Sequence, residues 1–178
     1  MHSKTIHNML IYLIGLPGSG KSTLGKEISD ALAYDFIDLD QKIEEHEGMT
    51  IPNIFAQKGE TYFREIERKI LHLYSNRLRL VIATGGGAPC FFDNMEFILQ
   101  KGLSFYLDIS IEEIIRRLEK SNGQNNRPLL ADKNKEELGQ ELTEKKRLRN
   151  PFYQRASYCI SDDNISVNTI LNVISPTL

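Results

Sequence analysis

The sequence has 178 residues, 40% of them hydrophobic, and a formal net charge of -2, which suits one well-filled core and is short for two. Such a balance carries no basic field to draw in nucleic acid, and no apolar run reaches membrane-spanning length, so a soluble protein with small-molecule partners is expected. The two cysteines, Cys90 and Cys159, and the four histidines lie scattered without metal-ligand spacing, which fits a reducing cytosol and implies no zinc site.

Met1 to Asn8 is too short and polar for a signal peptide, so a cytoplasmic location is expected. Met9 to Ile14 is a continuous apolar run, as in a strand buried on both faces of a parallel sheet. Gly15 ends it, and from Lys21 to about Ala33 the residues Leu24, Ile28, Ala31 and Leu32 recur at helical spacing. Between strand and helix, Gly15-Leu-Pro-Gly-Ser-Gly-Lys21-Ser22 matches GxxxxGK[ST], a phosphate-binding loop. Its glycines let backbone N–H groups turn towards an anion, and the helix adds its positive dipole end. Lys21 supplies charge at the β- and γ-phosphates, and the Ser22 hydroxyl is the expected Mg²⁺ ligand.

A second strand is predicted at Tyr34 to Ile37, followed by Asp38-Leu39-Asp40. Two carboxylates thus sit at the carboxyl end of a strand, where open α/β sheets bind ligands, and extended-chain alternation aims them the same way. Either acid also suits a cap for the next helix, Asp40 most directly, just ahead of Gln41 to Glu45. Thr50, with Pro52 in the first turn, predicts a capped helix closed by Gly59, and a second helix runs from about Glu60 to Asn76. Arg64 and Glu67 share a face of that helix, as an exposed ion pair or as part of a site.

The third strand, Leu80 to Thr84, leads into Gly85-Gly86-Gly87, which permits close backbone approach to a ligand. The fourth is Ser104 to Leu107, and Ser110 with Glu113 predicts a capping box at the start of the next helix. Residues 121 to 135 are polar and irregular, as mobile lids often are, before helix resumes near Glu136. A weaker strand at Tyr158 to Ile160 completes an α/β sandwich of five strands.

The loop alone is shared by many kinases, GTPases and motor ATPases. Together with the Asp38 and Asp40 pair, Phe63-Arg64 with Glu67, Gly85 to Gly87, Arg127-Pro128-Leu129-Leu130 and Arg149-x-Pro151-x-Tyr153, it resembles shikimate kinase from about Met9 to the chain end. The resemblance implies a P-loop kinase fold, a three-layer α/β/α sandwich with a five-stranded parallel sheet in the order 2-3-1-4-5. It further implies a single domain over 1-178, with an acceptor-binding insertion at about 38-67 and a lid at about 120-135. The reaction implied is transfer of the γ-phosphoryl group of ATP, with Mg²⁺, to the 3-hydroxyl of shikimate.

Carried over by position, the ATP-binding residues are Gly18, Ser19, Gly20, Lys21, Ser22, Thr23, Arg117 and Arg127, and Mg²⁺ falls to Ser22 and Asp38. The resemblance gives Asp40 the shikimate hydroxyls, Arg64 and Arg149 the carboxylate, Gly86 a backbone contact, and Glu67 the support of this shell. Lys21, Asp40 and Arg127 form the catalytic set, with proton removal open between Asp40 and Asp38. Two cationic forks and one acceptor are the chemistry that a small polyhydroxy acid requires. Arg117 resembles an adenine-packing arginine and also reads as a solvated helix residue, and the family's adenine-side proline is not evident in Asp162 to Val167. Gluconate and nucleoside monophosphate kinases share the loop and a lid but are not expected to carry the whole set. A non-catalytic nucleotide-binding module and a nucleic-acid ATPase are the readings from other classes, and the protein is expected to act as a monomer without nucleic acid or membrane.

Overall fold

The structure is a computed structural model, and it describes residues 9–122 and 135–174. Strands β1 (Leu10–Ile14), β2 (Asp35–Asp38), β3 (Leu80–Ala83), β4 (Gly102–Leu107) and β5 (Tyr158–Ile160) form one parallel sheet in the order β2-β3-β1-β4-β5. Helices α1 (Lys21–Leu32), α2 (Leu39–Glu47), α3 (Ile51–Leu73), α4 (Asn94–Lys101), α5 (Ile111–Asn122), α6 (Lys135–Tyr153) and α7 (Val167–Ile174) make the outer layers, with a short 3-10 turn at Ala88–Cys90. No helix of the described residues is long and apolar enough to cross a membrane.

Burial explains why the strands read as unbroken apolar runs. Every residue of β1 and β3 is buried, because each is covered on both faces. Leu13 lies opposite Ala83 on one side and Phe105 on the other, and α1 closes over this centre with Leu24 and Ile28. Parallel pairing then brings every carboxyl end to one edge. There Thr84 extends the ladder by one step, since its amide (3.1 Å) and its hydroxyl (2.9 Å) both donate to the Leu13 carbonyl. The glycine turn after β3 is thereby pinned to the base of the loop after β1.

Three local expectations need correction. The strand alternation expected to align Asp38 with Asp40 does not reach Asp40, because β2 ends at Asp38 and α2 begins at Leu39. Asp38 is itself the cap, its Oδ1 accepting from the amides of Asp40 (3.1 Å) and Gln41 (3.4 Å). Thr50 holds the cap position of α3 without a side-chain bond, and Glu44 Oε1 instead accepts from the Ile51 amide at 2.9 Å. Only half of the Ser110 box forms: Ser110 Oγ accepts from the Glu113 amide at 3.2 Å, while the Ser110 amide donates to Asp163. The Glu113 carboxylate is drawn to Arg116 and Arg117 instead. The break expected at Gly59 is present, as a residue with φ 80° and ψ 171° between two continuous helical segments.

Candidate active site

The loop from Gly15 to Ser22 joins β1 to α1. Gly20, at the cap of α1, has φ 96°, a left-handed conformation that a side chain would strain, and it turns the chain so that α1 starts at Lys21. Lys21 is buried and its ammonium donates to the carbonyls of Gly15 (3.0 Å) and Leu16 (2.8 Å), curling over the loop that it serves. Ser19 is buried too, and its hydroxyl has no protein partner among the described residues. A cleft of about 430 Å³ is lined by Gly18 through Leu24 together with Glu27, Leu107, Arg117, Leu118 and Ile165. A phosphate loop beside Leu107, Leu118 and Ile165 suits a phosphate chain bearing a flat base.

Arg117 is not a solvated helix residue. Its Nε donates to Glu113 at 2.7 Å, and its terminal nitrogens donate to the carbonyls of Ser19 (3.0 Å) and Asp163. It thus ties α5 to the phosphate loop and to the segment after β5.

Ser22 and Asp38 meet at the loop's open side, where the Ser22 hydroxyl donates to Asp38 Oδ2. One hydroxyl and one carboxylate oxygen beside a phosphate loop are the hard donors that Mg²⁺ uses when phosphates and water complete its shell, so these residues fit the ion. Asp40, in the first turn of α2, is half-buried. Burial, and then the Asp38 charge beside it, push its carboxyl up from the usual 3.8 to about 6, against the pull of Lys21 and Arg64.

Arg64, Glu67 and Arg149 gather round the glycine turn. The Arg64 terminal nitrogen pairs with Glu67 Oε2 at 2.8 Å, both side chains being buried, so this is not an exposed ion pair. Burial carries Glu67 from the usual 4.5 to about 7, with Arg64 opposing, and its Oε1 is buried without a partner among the described residues. A Cβ added to Gly85 would meet Asp40 Oδ1 at 2.6 Å and Glu67 Oε1 at 2.7 Å. One on Gly86 would meet Pro17 at 2.9 Å and an Arg149 terminal nitrogen at 3.0 Å, and one on Gly87 would meet Arg64 at 2.6 Å. All three glycines therefore serve close approach, and each faces a different member of the expected acceptor set.

Shikimate kinase is also the family whose model matches residues 17–178 of this chain. The chain belongs to the shikimate kinase family. A shikimate kinase of Parabacteroides distasonis is 42% identical to it over 94% of this chain and 96% of the relative, and one of Persephonella marina is 40% identical over 92% and 95%. Among solved structures, a shikimate kinase of Acinetobacter baumannii in complex with shikimate superposes with a TM-score of 0.84 at 35% identity, covering 98% of each chain. A deoxyadenosine kinase with bound dATP, at 18% identity and a TM-score of 0.60, shares the fold alone. Within the family frame, the structure unites Asp40, Arg64, Glu67, Gly86 and Arg149 on one side of the loop and sets Arg117 and Thr23 on the cleft at the other. Arg127, and residues 123–134 of the expected lid, lie outside the described residues.

Sequence reasoning missed the residues that hold this set in place. Phe91 lies under the Arg64 guanidinium at 3.9 Å, and Glu60 Oε1 accepts from two Arg64 nitrogens at 3.1 and 3.3 Å. Tyr153, the last residue of the Arg149-x-Pro151-x-Tyr153 segment, donates its hydroxyl to the Gly86 carbonyl. Glu60 stands four residues before Arg64, a spacing that could have exposed it. Phe91 carries no comparable signal.

Proposed function

We infer that the protein transfers the γ-phosphoryl group of ATP to the 3-hydroxyl of shikimate, giving shikimate 3-phosphate. The observation that carries this reading is the convergence of two arginines and two carboxylates on the Gly85–Gly87 turn, beside the phosphate loop. Arg64 and Arg149 clamp the acceptor's carboxylate through charge-assisted hydrogen bonds, and the Gly86 backbone adds a further contact. Asp40 takes the hydroxyl hydrogen bond. At neutral pH it is mostly ionised yet more basic than an ordinary carboxylate, which suits a group that orients or accepts a proton.

Lys21 leaves the carbonyls of Gly15 and Leu16 to follow the β- and γ-phosphates. Mg²⁺, held by Ser22 and Asp38, would neutralise phosphate charge when bound. Arg127 is assigned to the transferring group and residues 120–135 to the lid. Gly18 through Thr23 bind the phosphates, and Arg117 borders the nucleoside. Residues 38–67, between the ends of β2 and the middle of α3, form the acceptor-binding insertion of a single-domain, monomeric, cytoplasmic enzyme.

The test is steady-state kinetics with each substrate varied. Arg64→Ala and Arg149→Ala should each raise the shikimate KM by about tenfold or more while the ATP KM stays within about twofold. Unchanged shikimate kinetics in both variants would remove the carboxylate clamp. ATP consumption independent of shikimate would point instead to another acceptor or to a nucleotide-binding module.

A further inference from the structure

The carbonyls of the glycine turn are all engaged within the protein. Gly85 O accepts from the Ala88 amide at 3.1 Å and Gly87 O from the Cys90 amide at 2.8 Å, local bonds of the following 3-10 turn. Gly86 O is different. Its donor is the Tyr153 hydroxyl, brought from the end of α6. A trans peptide places its N–H opposite its C=O, so anchoring the Gly86 carbonyl sets which way the Gly87 amide points.

Tyr153 has no freedom of its own. It is wholly buried, and its ring packs on Tyr106 with centroids 5.0 Å apart. The Arg149 guanidinium, one helical turn earlier, lies against the same glycine, a terminal nitrogen standing 3.0 Å from where a Gly86 Cβ would be. Lys146, on the same face another turn back, pairs with Asp108 at 2.7 Å and holds α6 against the end of β4. The part of α6 that carries Arg149 is thus fastened on both sides.

We propose that Tyr153 is a positioning residue for acceptor binding. Its hydroxyl holds the Gly86 carbonyl in place beside the Arg149 guanidinium, so that the glycine turn and the cationic fork meet the acceptor's carboxylate as one preset unit. The inference rests on the reading that Gly86 and Arg149 contact that carboxylate. A phenylalanine in this place keeps the packing and loses the link.

Tyr153→Phe should raise the shikimate KM about tenfold, with the ATP KM within about twofold and the thermal midpoint nearly unchanged. In an Arg149→Ala background the same substitution should add less than about twofold, because both changes break one unit. Tyr106→Phe, which removes a buried hydroxyl directed at Asp108, should leave the shikimate KM unchanged. In the unaltered protein, shikimate should slow hydrogen exchange at the Gly86 and Gly87 amides by about tenfold, a reading that needs no variant to fold.

Full multiplication of the Tyr153 and Arg149 effects, or unchanged exchange at both amides, overturns the inference. An unaffected shikimate KM in Tyr153→Phe, alongside a raised one in Arg149→Ala, overturns it and leaves the acceptor site standing. An unaffected KM in Arg149→Ala overturns both.

Discussion

Asp40 and Glu67 show how burial changes a residue's job. Both carboxyls titrate well above their usual range because water is largely withdrawn from them, and Asp38 adds repulsion to the first. A carboxyl raised in the folded state stabilises fully below its ordinary value, and that contribution is lost as pH climbs through its folded value. For Asp40 the window runs from about 4 to about 6. Asp40→Asn should therefore stabilise the ligand-free protein at pH 8 by about 1–3 kcal/mol, as measured by urea unfolding, while shikimate binding is lost. The gain should shrink towards pH 4, where the native carboxyl is already neutral. An Asp40→Asn variant that is less stable at pH 8 would contradict the raised carboxyl. Neither shift was legible beforehand, since the motif names the carboxylates but not what covers them.

At the scale of elements, hydrophobic patterning located every strand to within about two residues, because two-sided burial leaves no polar positions in β1 and β3. Helix ends were less legible. Caps depend on which side chain reaches an amide, and Glu44 and Asp163 reach theirs from neighbouring segments, ahead of Thr50 and Glu113. The exception is Gly59, whose φ of 80° and ψ of 171° belong to a region open essentially to glycine alone. Nothing lies within 4 Å of an added Cβ there, so the cost of Gly59→Ala is conformational and not a clash. Its expected size is about 1–3 kcal/mol, seen as a thermal midpoint lowered by roughly 2–10 °C. An unchanged midpoint would show that the bend can relax at no cost. Glu60 and Arg64 follow directly after this bend, which aims their helix segment at the glycine turn.

At the scale of the molecule, the fold places the phosphate loop, the Asp38 to Asp40 segment and the glycine turn along one edge of the sheet, the carboxyl ends of β1, β2 and β3. On the proposed role of Lys21 at that edge, Lys21→Ala should keep the circular dichroism spectrum and lose phosphoryl transfer by orders of magnitude. Retained turnover would remove the loop lysine from the mechanism. The amino-acid sequence by itself determined the order of strands and helices and the phosphate loop, because local periodicity and short motifs act over a few neighbouring positions. The acceptor residues proposed above come from the family resemblance. Only the tertiary structure decided that Asp38 meets Ser22, that Arg64 rests on Phe91, and that Tyr153 reaches Gly86. Each of these joins segments that are far apart along the chain, and their pairing is set by how the sheet and helices pack, which no local pattern records.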